Sequence, residues 1–116
     1  MYTATKHTLK EEPMILHIAN FRWKPDVTEE RIAALTAALT EMAAQLDCIH
    51  SYAAGPNLHL RPGGSDYAVA AIVADGDALD AYLDHPLHQQ VYTDFLGTML
   101  ESREAAQLPI ASGSFA

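Results

Sequence analysis

An α+β fold with the element order β-α-β-β-α-β is what this sequence predicts, and three observations carry it. Met14 to Trp23 has the apolar, alternating make-up of a strand. Ile32, Leu35, Leu39, Met42 and Leu46 recur three and four residues apart, the seam of an amphipathic helix. Asp66 to Ala74 is a short, nearly all-apolar run between turn signals, which fits an interior strand.

In chain order, residues 1–13 are polar, lack any period and end in proline, so they are expected to form a tail ahead of one domain over residues 14–116. In the first strand Ile15, His17, Ala19, Phe21 and Trp23 share one face, and Leu16, Ile18, Asn20 and Arg22 share the other. Both faces are partly apolar, which implies cover on two sides. Lys24-Pro25-Asp26 ends the strand. Asp26 or Thr28 then caps a helix running to about Leu46. Cys48 to Ala54 reads as a second strand that stops at Gly55-Pro56-Asn57. Leu58 to Ser65 is a loop; its Gly63-Gly64 is no phosphate cradle, because no helix start follows. After the third strand, Asp75-Gly76-Asp77 opens a short helix with Ala78, Leu79, Tyr82 and Leu83 inward. Pro86, with no N–H and a fixed φ, starts another helix, predicted to reach about Glu104. Leu108 to Phe115 is the predicted last strand, placed at an edge by Pro109 and Gly113.

That order is the ferredoxin-like sandwich, one antiparallel sheet with helices on one side. Its other face is apolar in the first and third strands, so a second copy is the expected cover and a homodimer through the sheet face is predicted. The 116 residues suit one domain, and 49% hydrophobic against 19% charged residues suits a globular core. A formal charge of −8 opposes partnership with nucleic acid or anionic membranes. The single cysteine, Cys48, reads as a small core residue. With no apolar run of membrane length and no signal-like segment in the first 13 residues, the expected location is cytoplasmic.

The chemistry concentrates in Tyr82-Leu83-Asp84-His85-Pro86-Leu87-His88. His88, Val91, Tyr92, Phe95, Leu96 and Met99 share one helix face, so the His88 imidazole points inward, six residues after Tyr82. An imidazole titrates near ~6.5 and can take a proton at neutral pH. A buried histidine bonded to a backbone carbonyl is the plainer alternative. His85, forced extended before proline, suits the helix start better than catalysis. His85 and His88 are too few for zinc, and neither a cysteine nor a carboxylate completes a set, so no metal is expected. His7, His50 and His59 lie in the tail, a short strand and a loop. The carboxylates are scattered, and neither a nucleophile elbow nor a dinucleotide glycine motif occurs.

These features together resemble the stress-responsive α/β-barrel (Dabb) domain family. The residues that carry the resemblance are the strand ILHIANFRWK, the helix opening VTEERI, the Gly55-Pro56-Asn57 turn and above all the block from Asp77 to His88, within a span of about Ile15 to Ile110. The resemblance implies a dimeric α+β barrel with a hydrophobic pocket in each subunit. The family includes plant stress proteins and a plant polyketide cyclase that closes an aromatic ring by aldol condensation without metal or organic cofactor. In that cyclase the histidine matching His88 is the base, the tyrosine matching Tyr82 assists at the carbonyl, and a histidine matching His17 lies at the site. Its further strand histidine is replaced here by Tyr67. The expectation is therefore a cofactor-independent enzyme acting on a polyketide-like or other carbonyl compound, with His88, Tyr82 and His17 catalytic. Ala19, Phe21, Leu35, Leu39, Tyr67, Val91, Tyr92, Phe95 and Met99 are the expected substrate-binding wall for a small apolar or aromatic ligand. A non-catalytic ligand-binding dimer and a cofactor-free monooxygenase on a related barrel are the alternatives.

Overall fold

In the computed structural model, which describes residues 13–115, the chain forms a four-stranded antiparallel sheet backed by helices on one face. The expectation of a polar tail falls, except for Pro13, outside the described residues. The elements are β1 (Met14–Trp23), α1 (Glu29–Gln45), β2 (Ile49–Pro56), β3 (Tyr67–Val73), α2 (Gly76–Leu83), α3 (Pro86–Val91), a π-helical turn (Tyr92–Leu96), α4 (Gly97–Met99) and β4 (Leu100–Ile110). The sheet order is β2-β3-β1-β4, and every neighbouring pair is antiparallel. This is the ferredoxin-like arrangement.

α1, α2 and α3 each start where a side chain accepts from an otherwise unpaired N–H. Thr28, not Asp26, caps α1: its side chain accepts from Arg31 N at 3.1 Å, and Glu29 and Glu30 complement the helix dipole in the first turn. Asp75 caps α2 by accepting from Ala78 N at 2.8 Å. Thr28→Ala should therefore lower stability by about 1 kcal/mol. A urea unfolding midpoint checks this. An unchanged midpoint would show that the cap contributes nothing.

The C-terminal third departs from expectation. The helix begun by Pro86 ends at Met99, not near Glu104, and β4 starts at Leu100, eight residues before the predicted Leu108. The stretch Glu101 to Gln107 has helix-forming composition, but it lies along β1 and pairs with it from Trp23↔Leu100 to Met14↔Ile110. Backbone pairing along a whole neighbouring strand outweighs local propensity of a few tenths of a kcal/mol per residue. The edge position is as anticipated: β4 has β1 on one side only, which is why Pro109 is tolerated there. Residues 111–115 lie beyond the strand.

Strand pairing sorts the side chains into two layers. His17, Ala19 and Phe21 of β1 sit opposite Ala71, Val69 and Tyr67 of β3 and face the helices. Tyr52 and Ala54 of β2 continue that layer beside Ala71 and Val69, and on the far edge Arg103, Ala105 and Gln107 of β4 extend it. The core is closed from above by Leu35, Leu39 and Met42 of α1, with Tyr82, Val91, Leu96 and Met99 from the later helices. The outward layer holds Leu16, Ile18, Ala53, Ala70, Ile72, Ala106 and Leu108. These are small or apolar groups with no helix over them. Among the described residues, no helix is long and apolar enough to cross a membrane.

Candidate active site

The site lies between β1 and the α2–α3 junction. His17 comes up from the middle of β1, and its alternation with Leu16 and Ile18 turns it toward the helices, where it is only 3% exposed. Tyr82 descends from the last turn of α2 and is 2% exposed. His85 ends the short link to α3, where its Nδ1 accepts from Leu87 N at 3.1 Å. That bond fixes the helix start, and Pro86 then sets the first turn, which places His88 back over Tyr82.

Tyr82 is the hub of the cluster. Its ring meets His88 edge-on with centroids 5.1 Å apart, His17 edge-on at 6.0 Å and Tyr52 edge-on at 6.3 Å. All four residues line a cavity of about 70 Å³ whose other walls include Phe21, Leu39, Val69 and Leu96, with Tyr92 and Arg103 more exposed. On this cavity the buried His88 Nδ1 lacks a hydrogen-bond partner among the described residues, and the Tyr52 hydroxyl has only that of Tyr82 beside it. Buried polar atoms are nearly always paired, so the orphaned His88 Nδ1 marks a place where a ligand completes the bonding. His17 differs. The Gln107 amide lies 3.0 Å from its Nδ1, and with the amide nitrogen donating, the proton of the neutral ring sits on Nε2.

The electrostatics hold these groups in defined protonation states. Burial lowers the pKa of His88, and His17 and Arg103 add to that, while the Leu83 backbone and Asp84 act in opposition. Burial and then Arg103 lower His17 in the same way. Both rings are thus neutral at neutral pH, able to accept or share a proton. Burial pushes the Tyr82 phenol up to about 12, so it remains a donor. Burial raises Tyr52 further in the same direction.

The two imidazoles are harder to protonate folded than unfolded, so the unfolded chain binds more protons as pH falls below the ordinary value of 6.5. Stability is fully present above that value and is lost as pH drops toward the depressed folded values. Urea midpoints should fall between pH 7.5 and pH 5, and a His17→Asn/His88→Gln double variant should flatten that fall. An equal slope in the variant would assign the pH dependence elsewhere.

Of the side chains expected at the site, the structure brings His17, Tyr82, His88, Ala19, Phe21, Leu39 and Tyr92 to one cavity. Leu35, Tyr67, Val91, Phe95 and Met99 are not among its walls. Tyr67 is fully buried instead: its ring stacks on Phe21 with centroids 6.0 Å apart, and its hydroxyl bonds Thr36 Oγ1 at 2.7 Å. Leu35 and Met99 are closed into the core. The π-helical turn explains the fate of Phe95. Five residues in that turn take Leu96, rather than Phe95, to the buried position following Val91. Phe95 instead carries the Arg31 guanidinium 4.4 Å above its ring. Tyr52, Arg103 and Gln107 are the site residues that sequence reasoning missed. Among the described residues no group of three or more His, Cys, Asp or Glu side chains could hold a metal ion.

Comparison with known proteins agrees with this architecture. The family profile for the Stress responsive A/B Barrel Domain, Dabb, matches residues 15–109. The chain belongs to the Dabb family. An uncharacterized protein of Streptomyces coelicolor is 33% identical to this Dabb protein over 78 residues, 66% of this chain and 80% of the relative. Among solved structures, a dimeric ferredoxin-like protein of unknown function from Thermobifida fusca is similar, with a TM-score of 0.79 and 34% identity over 86% of this chain and 93% of that one. The hydroxynitrile lyase of Passiflora edulis shares the fold at a TM-score of 0.73 and 14% identity, covering 85% of this Dabb chain and 94% of its own.

Proposed function

We propose that this Dabb protein is a homodimer that catalyses cofactor-independent proton transfer at a carbon beside a carbonyl group, leading to aldol-type cyclisation or isomerisation. The observation that carries this reading is the buried, unpartnered His88 Nδ1 on one cavity with a hydroxyl donor between two neutral imidazoles.

His88 takes the proton from the carbon, and the C–H electron pair passes to the carbonyl oxygen as an enolate. The Tyr82 hydroxyl, still protonated, donates a hydrogen bond to that oxygen, and the His17 Nε2–H is a second donor. The enolate carbon then attacks a second carbonyl. The new C–C bond forms, and the alkoxide it leaves takes the proton back from the His88 imidazolium. For isomerisation the same proton returns to a different carbon. Neither route needs an oxidant or reductant. The Passiflora edulis lyase places lyase chemistry on the same fold, which supports the compatibility of the architecture with such steps.

The cavity limits the substrate. A volume of about 70 Å³ is roughly that of two waters in the liquid, at ~30 Å³ each. It holds the reacting fragment of a carbonyl compound, so the remainder of a larger polyketide-like chain extends past Tyr92 to the outside. The outward sheet layer around Leu16, Ile18, Ala70 and Leu108 is the proposed dimer face, supported by the dimeric description of the Thermobifida fusca relative.

Hydrogen–deuterium exchange in D2O tests the reading without knowledge of the natural substrate. Small diketones and keto acids are followed by proton NMR for loss of their α-proton signals. Exchange above the buffer rate, lost in His88→Ala, is the expected result. Binding without any added exchange across the set would overturn it and leave a ligand-binding protein.

A further inference from the structure

Arg103 is the one cationic side chain on the cavity wall that holds His17, Tyr82 and His88. It stands directly opposite Phe21 across the β1–β4 pairing, on the layer that faces the helices. No ion pair engages it among the described residues. Its neighbours in sequence do not neutralise it: Glu104 alternates to the outward layer opposite Asn20, and Glu101 falls at the bulge between the Leu100 and Ser102 pairings. Arg103 therefore puts a guanidinium without a carboxylate partner on a wall whose other members are imidazoles, phenols and apolar side chains.

We infer that Arg103 anchors a substrate carboxylate, so that the site takes small carbonyl acids in preference to neutral carbonyl compounds. This rests on the proton-transfer reading above. The planar guanidinium fork matches a carboxylate with two parallel hydrogen bonds, which fixes orientation as well as position. Held in this way at the exposed end, a 3-oxo acid directs its ketone and the acidic carbon between the two functions inward, toward Tyr82 and His88. The same positive charge disfavours protonation of both imidazoles, so the anchor also keeps the base in its working form.

The test compares 3-oxobutanoate with its methyl ester, which have the same skeleton with and without the charge. Dissociation constants come from backbone amide shifts, and α-proton exchange is measured in the same samples. The full chain should bind the acid at least tenfold more tightly than the ester. Arg103→Met should erase that preference while leaving ester binding within about twofold, and Arg103→Lys should keep part of it, because a point charge lacks the fork. Equal binding of acid and ester, a preference that survives in Arg103→Met, or no binding of either compound would each overturn the inference. A charge preference without α-proton exchange would uphold the anchor and defeat the proton-transfer reading. Exchange without a charge preference would do the reverse. Arg103 is exposed on an edge strand, so both variants should fold, and circular dichroism checks that they do.

Discussion

His88→Ala should reduce enzyme-dependent α-proton exchange by about 10²–10⁴-fold, the range expected when a positioned general base is lost. Stability should change little. His88 Nδ1 bonds nothing, and the Leu83 carbonyl beside the ring keeps the bond it accepts from Gln89 Nε2, so removing the ring strands no buried partner. The opposite pattern identifies a purely structural histidine, for which stability falls and no turnover is present to lose. Tyr82→Phe keeps the ring that packs on His17, Tyr52 and His88 and removes only the hydroxyl. It should lower exchange by about 10²-fold, comparable to loss of one hydrogen-bond donor at a developing oxyanion. Exchange rates and urea midpoints measured on the same preparations separate the two accounts.

Ile18→Glu should convert the proposed dimer to a monomer. Ile18 sits at the centre of the sheet on its outward side, between Ala70 of β3 and Ala106 of β4. A two-fold axis through that face would bring two introduced carboxylates into an apolar contact, at a penalty of several kcal/mol. Since Ile18 alternates away from His17, the cavity and its histidines should persist in the monomer. Sedimentation velocity checks the result. A variant that stays dimeric would move the interface off this face.

The three-and-four seam of α1, the period-two pattern of β1 and the turn residues were sufficient to read the fold from the sequence. Each reflects local chemistry that survives whatever surrounds it. His88 and Tyr82 were legible for the same reason, since Pro86 and a six-residue spacing fix their relation almost by themselves. The role of His85 as a helix cap likewise followed from the proline after it. The extent of β4 was not legible. Its composition is that of a helix, and only β1 beside it makes it a strand. Arg103 and Gln107 were hidden along with it, because a residue's face cannot be assigned before its element is known. Tyr52 escaped notice because β2 has no strong alternation of its own and takes its faces from β3. The π-helical turn likewise has no clear signature in the sequence, and it makes Leu96 the buried residue after Val91 while Phe95 is only partly buried against the core.

NMR titration of the histidine rings, with His88 assigned from a His88→Gln variant, decides whether His88 is a desolvated, accessible base. His88 should titrate below the ordinary 6.5 because burial disfavours its charged form, and its ring signals should shift when a small diketone is added. A His88 that titrates at its ordinary value and ignores every carbonyl compound offered would contradict that role.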